Sequence, residues 1–163
     1  MKRFKYILLI FICIFAFCGC TNNKEEDKDK NTTEIVADYE LDKTFSFMDF
    51  EVTVKSNVSI LTIKRELSAD NNRKVVRVPV TVRNTGSKNN HISMFYYKFY
   101  NSNEMELGSK GAYYNDSLDY AKDLAPGEKY DKFFYISYDG PGKYIIEFNN
   151  FSKKFKVIVN VNE

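Results

Sequence analysis

The chain has 163 residues, 44% hydrophobic and 16% aromatic, enough for one domain with a sizeable core plus appendages. Its formal charge is +2, but Lys2, Arg3 and Lys5 stand in a segment expected to be removed; without them 21 basic residues face 22 acidic ones, which excludes an electrostatic footprint for nucleic acid. Cys13, Cys18 and Cys20 all precede residue 21, so the domain that follows can hold no internal disulfide and must be stabilised by burial and strand pairing.

Met1 to Tyr6 is a short basic stretch, and Ile7 to Phe17 is an unbroken apolar run. A membrane-spanning helix needs about 20 apolar residues. The run is shorter and fits the apolar region of a secretory signal. Phe17-Cys18-Gly19-Cys20 resembles a bacterial lipobox, in which a small residue precedes the cysteine; Phe17 stands where leucine is usual. The resemblance implies diacylglycerol transfer to the Cys20 sulfur and cleavage before it, so that residues 1–19 are a lipoprotein signal peptide. A thiolate is the good nucleophile such an alkylation requires. Two or three acyl chains, palmitate among them, would then anchor Cys20 at the extracytoplasmic face of the cell membrane, since each buried CH₂ contributes ~0.8 kcal/mol and one chain alone is marginal. A plain signal peptide is the competing reading.

Residues 20–43 read as a tether. Thr21 to Thr33 contains no aliphatic or aromatic residue, cannot bury anything and is expected to be disordered. A flexible coil of this length spans roughly 25–30 Å. Ile35, Val36, Tyr39 and Leu41 near its end fit either docking on the domain or a short helix.

The domain is expected over 44–163. Phe45 and Phe47, then Phe50, Val52 and Val54, alternate with polar residues around a turn or bulge at Met48-Asp49, and Val58 to Ile63 follows as a second strand. Ser68 to Asn72 is a loop by composition. Arg73 to Gly86 is the central strand: Val76, Val78, Val80 and Val82 recur with period two, and Asn84-Thr85-Gly86 ends it with turn residues. Pro79 cannot donate to a ladder, so its nitrogen must face an edge or a bulge. Ile92 to Tyr100 reads as the next strand, with Phe95, Tyr97 and Phe99 on its more apolar face, and Met105 to Leu107 as a short return. Gly108 to Asp123 is a long loop carrying Tyr113, Tyr114 and Tyr120 among acidic residues, and such loops are often functional. Leu124-Ala-Pro-Gly-Glu128 suits a type II turn. Three more strands follow over Tyr130–Tyr138, Tyr144–Phe148 and Lys154–Val161, with a tight turn at Asp139–Gly142. Seven or eight strands with frequent turn signals and no long helix predict an all-β fold, an antiparallel β-sandwich.

Val78 to Gly86, Leu124 to Glu128 before an aromatic strand, and Tyr144 to Phe148 after it resemble, in their order and spacing, the small immunoglobulin-like lipoproteins of Gram-positive bacteria, a domain of unknown function similar in fold to a secreted immunogenic mycobacterial antigen. With the lipobox the resemblance covers nearly the whole chain. It implies an extracytoplasmic immunoglobulin-like sandwich and carries over no catalytic residue. Tyr144 sits where an immunoglobulin has its corner tyrosine, two residues before a core cysteine that is Ile146 here. A corner hydroxyl bonded to backbone and an ordinary core aromatic are both open readings of Tyr144.

Catalysis needs a clustered nucleophile, base and orienter. His91 is the single histidine, in a polar loop, and reads as a solvated residue rather than a base. No Cys–His cluster fits zinc, no cofactor is implied, and no enzymatic activity is expected. Asp116, Asp119 and Asp123 share one loop, but their spacing does not match a calcium-binding hand, and a solvated acidic loop is the better reading. Tyr96 and Tyr100, with Tyr113, Tyr114 and Tyr120, form the candidate ligand or partner surface, because tyrosine offers stacking area at low entropic cost; the alternative is that these rings complete the core. The function expected is a lipid-anchored, non-catalytic binding or interaction module of the cell envelope, its partner an envelope protein or polysaccharide. An envelope enzyme or enzyme accessory, or a solute-binding lipoprotein, is the alternative.

Overall fold

The computed structural model describes residues 34–120 and 122–163. The expected signal peptide, Cys20 and the expected tether as far as residue 33 lie outside the described residues. Among those described, no helix is long and apolar enough to cross a membrane.

Two five-stranded sheets pack face to face. In the first, β1 (Glu34–Tyr39) pairs parallel with β10 (Lys153–Val161); β10 then pairs antiparallel with β9 (Gly142–Asn149), β9 with β6 (Tyr97–Asn101), and β6 with the short β7 (Glu106–Leu107). In the second, the hairpin of β2 (Thr44–Phe47) and β3 (Phe50–Val54) pairs with one edge of β5 (Lys74–Asn84), β4 (Ser59–Thr62) continues along that edge, and β8 (Lys129–Ser137) pairs with the other. The fold is an immunoglobulin-like β-sandwich with ten strands among the described residues, more than the seven or eight expected, because β1 lies in the segment read as tether and the turn at Met48-Asp49 divides Phe45–Val54 into two strands.

That β1 belongs to the sandwich moves the start of the folded part from Thr44 to Glu34. The register shifts between Ile35 and Ala37, so the strand has no clean period-two alternation to read, and its partner is the last strand of the chain. The Tyr39 ring seals the edge, 4.8 Å from Phe45 and 5.8 Å from Phe155.

The valines of β5 form the floor of the core: Val76, Val78, Val80 and Val82 are all buried, with Phe134 and Ile136 of β8 beside them. Facing them from the first sheet are Phe99, Ile146, Phe148, Val157 and Val159. Rings cross between the sheets, Tyr97 to Phe134 at 5.0 Å and Phe45 to Phe148 at 5.2 Å, in edge-on geometry. Each fully buried side chain of this kind contributes roughly 1.5–3 kcal/mol.

Pro79 lies in a central strand, yet its missing N–H opens no gap in a ladder. β3 pairs with β5 from Val80 onward and β4 from Arg77 backward, so Pro79 sits where one partner strand hands over to the next. Its carbonyl accepts from Lys55 N on that same side. The position is a break in pairing, which is where a strand proline is tolerated.

Residues 92–100 are not one strand. The Ser93 hydroxyl accepts from Phe95 N and starts a 3₁₀ turn over Met94–Tyr96; extended structure begins only at Tyr97. Phe95, expected on the core face, is 85% exposed. The turn at Ala125–Glu128 is the type II turn expected, with Gly127 at φ 80° and Glu128 N donating to Ala125 O.

The sandwich has two ends. At one lie the β2–β3 turn, residues 85–96, residues 122–128 and the β9–β10 turn, since Phe50 pairs with Asn84, Arg83 with Lys129, and Tyr97 with Phe148, while Phe47 packs on Phe148. β1 also begins there, Glu34 opposite Lys153. The other end carries residues 63–73, 102–105, 138–141 and those after Val161, since Thr62 pairs with Lys74, Val75 with Ser137, Asn101 with Tyr144 and Val161 with Gly142.

Candidate functional site

The long β7–β8 connection runs along the edge of β8 that β5 leaves free, with bridges at Ser109–Ile136 and Ser117–Phe133, buries Leu118 in the main core, and folds Tyr113 and Tyr114 over the outer face of the second sheet. Beneath it, Ile63, Val75 and Tyr135 form a second buried cluster, with Leu61, Phe133, Tyr113 and Tyr114 packed against it. Tyr114 stacks on Tyr135 with ring centroids 3.8 Å apart and planes within 5°. The Arg77 guanidinium lies over Phe133, 3.3 Å from its centroid. Arg77 Nε donates to the Tyr135 hydroxyl at 3.1 Å, and that hydroxyl donates to Asp116 Oδ1 at 2.7 Å. Burial, with the bond to Asp116 second, pushes the Tyr135 phenol up to about 12.

Three aspartates hold this loop down. Asp116 takes Arg77 and Tyr135. Asp119 accepts from the buried Tyr97 hydroxyl at 2.7 Å and from Ser109 Oγ at 2.6 Å. Asp70, in the β4–β5 connection, accepts from Lys110 Nζ at 2.8 Å and from the Tyr113 hydroxyl at 2.9 Å. Lys110 first and Tyr113 second hold the Asp70 carboxyl below its ordinary value. Gly111 turns the chain where an added Cβ would collide with Ser117 and Asp119.

What the loop leaves open is a groove of about 670 Å³ between itself and the β4–β5 connection, lined by Lys64, Arg65, Glu66, Leu67, Ser68, Ala112 and Tyr113. A recess beside it reaches Ile63 and Tyr114. Arg65 donates to Tyr113 O, and Ser68 Oγ meets the Tyr113 hydroxyl at 2.8 Å, so the Tyr113 ring is fixed as one wall. Leu67 is fully exposed at the mouth. A rigid aromatic wall, two cationic side chains and an exposed aliphatic make a surface that can bind, with stacking, charge and apolar contact available together.

The five candidate tyrosines are therefore not one platform. Tyr113 and Tyr114 stand together at the groove. Tyr100 is on the outer face of the first sheet, in a separate groove of about 220 Å³ with Glu104, Ile145, Glu147, Lys154 and Lys156. Tyr96 is half-buried at the end of the sandwich, edge-on to Phe47 and Phe151. Tyr120 is exposed on the loop. The 3₁₀ turn holds Tyr96 at the end of the sandwich, and strand alternation sends Tyr100 to the outer face of the first sheet, away from Tyr113 and Tyr114.

His91 forms an exposed pair with Asp123, Nδ1 to Oδ1 at 2.8 Å. Asp116, Asp119 and Asp123 point to different protein partners, and among the described residues no group of three acidic, histidine or cysteine side chains converges as a metal site. The Tyr144 hydroxyl accepts from Asp139 N at 2.7 Å and donates to Gly140 O at 2.8 Å, which resolves it as a corner tyrosine. Reading the sequence missed Lys64, Arg65 and Leu67. Leu67, an aliphatic stranded among charged and loop-forming neighbours, was the available signal.

Solved structures share this fold. The yjhA protein of Bacillus subtilis superposes with a TM-score of 0.57 at 12% identity, over 75% of this chain and 99% of that one. A "putative lipoprotein (ycdA)" of the same organism gives 0.55 at 17%, over 74% of this chain and 39% of that one. The secreted Mycobacterium tuberculosis protein MPT63 gives 0.54 at 13%, over 76% and 96%. No protein-family model matches the chain, and no curated protein does.

Proposed function

We propose that this chain is a lipid-anchored module of the bacterial cell envelope, held at the extracytoplasmic face of the membrane through acylated Cys20, and that it binds its partner without catalysis through the groove at Tyr113. The observation that carries the binding reading is the way three aspartates, Tyr114 and Tyr135 fix the long loop so that Tyr113, Lys64, Arg65 and Leu67 present one preorganised surface. The anchoring reading is supported by the apolar run ending at Cys20 and by a fold shared with one protein described as a lipoprotein and one described as secreted. The partner is an envelope protein or polysaccharide with an anionic or aromatic-compatible surface, given the two cations beside the ring.

Two experiments test this. Metabolic labelling with a fatty-acid probe should mark the wild-type chain and not Cys20→Ala; label retained in the variant overturns the anchor. Binding of the mature chain to envelope proteins and to cell-wall polysaccharide should fall about tenfold or more in Tyr113→Ala/Arg65→Ala, as expected for two central contacts. Saturable binding that the double variant leaves intact places the surface elsewhere.

A further inference from the structure

Four large apolar side chains are exposed at one end of the sandwich: Phe95 at 85%, Phe151 at 75%, Met94 at 50% and Met48 at 48%. They form a connected set. Met94 and Phe95 share the 3₁₀ turn with Tyr96; Tyr96 lies 6.4 Å from Phe151 and 6.2 Å from Phe47, the neighbour of Met48. Two of the four sit at hairpin tips with positive φ, 54° at Met48 and 69° at Phe151. Glycine or asparagine holds that conformation with less strain. Bulky apolar residues there stay largely in solvent and gain little from the core, so their presence fits an outside contact. Leu67 and Met105, also exposed, stand on separate loops at the opposite end.

The position of the chain's N-terminal segment selects the occupant. β1 begins at this same end, Glu34 opposite Lys153. The stretch from Cys20 to Glu34 reaches at most about 50 Å when fully extended. This end is therefore the nearer one to a lipid on Cys20, and the opposite end lies further off by the length of β10, ~30 Å. The same rim carries exposed Lys88, Lys122, Lys129 and Lys153 against exposed Asp49, Asp123 and Glu128, and lysine near such a surface is drawn to anionic head groups.

Building on the lipid-anchored reading above, we infer that the apolar end rests on the bilayer itself, with Phe95, Phe151, Met94 and Met48 entering the head-group layer. The sandwich stands upright on the membrane, and the Tyr113 groove, beside the β4–β5 connection at the other end, faces outward.

The test uses the mature acylated chain in vesicles of phosphatidylglycerol and phosphatidylcholine. Cys20 is its one cysteine and is consumed by acylation, so a new thiol is labelled selectively. An environment-sensitive fluorophore at Phe151→Cys or Phe95→Cys should be quenched by nitroxide-labelled lipid about threefold more than the same fluorophore at Glu163→Cys, as expected for insertion into the head-group boundary. Phe95→Asp/Phe151→Asp should abolish the excess quenching at Met48→Cys while the chain still sediments with vesicles. Equal quenching at both ends in sedimenting chain overturns the docking and leaves the anchor standing. Self-quenching between labels at Phe151→Cys without lipid quenching overturns it in favour of a second copy. Acylated chain that does not sediment with vesicles overturns the anchor reading and this one with it.

Discussion

Asn84 shows how much one buried amide decides. It is fully buried, its Nδ2 donates to Lys88 O at 2.7 Å and Leu124 O at 2.8 Å, and its Oδ1 accepts from Gly86 N at 2.9 Å. In the sequence it reads only as the first residue of a turn; in the fold it ties three segments at one end of the sandwich. Asn84→Ala strands the Lys88 carbonyl and the Gly86 amide, leaves Leu124 O with only its Asn90 N donor, and should lower stability by roughly 1–3 kcal/mol, read from denaturant midpoints at unchanged slope. Asp70 provides a pH signature. Its folded value is depressed below the ordinary 3.8 by Lys110 and then Tyr113. Its contribution is therefore complete above about pH 4 and is lost as pH falls through the lower, folded value. Melting temperature measured from pH 5 downward should fall more steeply in wild type than in Asp70→Asn, which has no such proton to take up. Equal slopes would mean that the Lys110 and Tyr113 contacts add nothing to stability.

Among the elements, β1 and the β7–β8 loop carry the largest departures from what composition suggests. β1 covers the β10 edge, and Tyr39 covers Phe45 and Phe155. A recombinant domain beginning at Thr44 should be less stable than one beginning at Thr32 by about 2 kcal/mol or more, from the apolar area uncovered, and more prone to associate through the bared edge. Chemical denaturation and sedimentation check the two effects separately. Equal stability would make β1 an ornament of the sheet. The loop was legible as long and aromatic, and its tyrosines as notable. That it lines the free edge of β8 and folds Tyr113 and Tyr114 over the outer face follows from the unpaired edge and from Val75, Tyr135 and Ile63, whose outward apolar surface has to be covered.

For the molecule as a whole, a domain without cysteine must draw its stability from burial and pairing alone. The main core and the second cluster share β5 and β8, so heat should melt them in one transition that reductant does not shift; calorimetry with and without dithiothreitol gives the check. Two separated transitions would show the loop-covered cluster to be a unit of its own. The sequence by itself determined what period-two alternation and turn chemistry encode: the valine face of β5, the alternation on either side of Met48-Asp49, the Ala125–Glu128 turn, and hence the sandwich. These are local signals, set by neighbours one to four residues away. Only the tertiary structure decided that β1 joins the last strand, that Ser93 turns Phe95 out of the core, that the five tyrosines part company, and that Lys64, Arg65 and Leu67 meet Tyr113. Each of those depends on which face of which sheet two distant segments share, and that is fixed by the burial of the whole core rather than by any stretch of the chain.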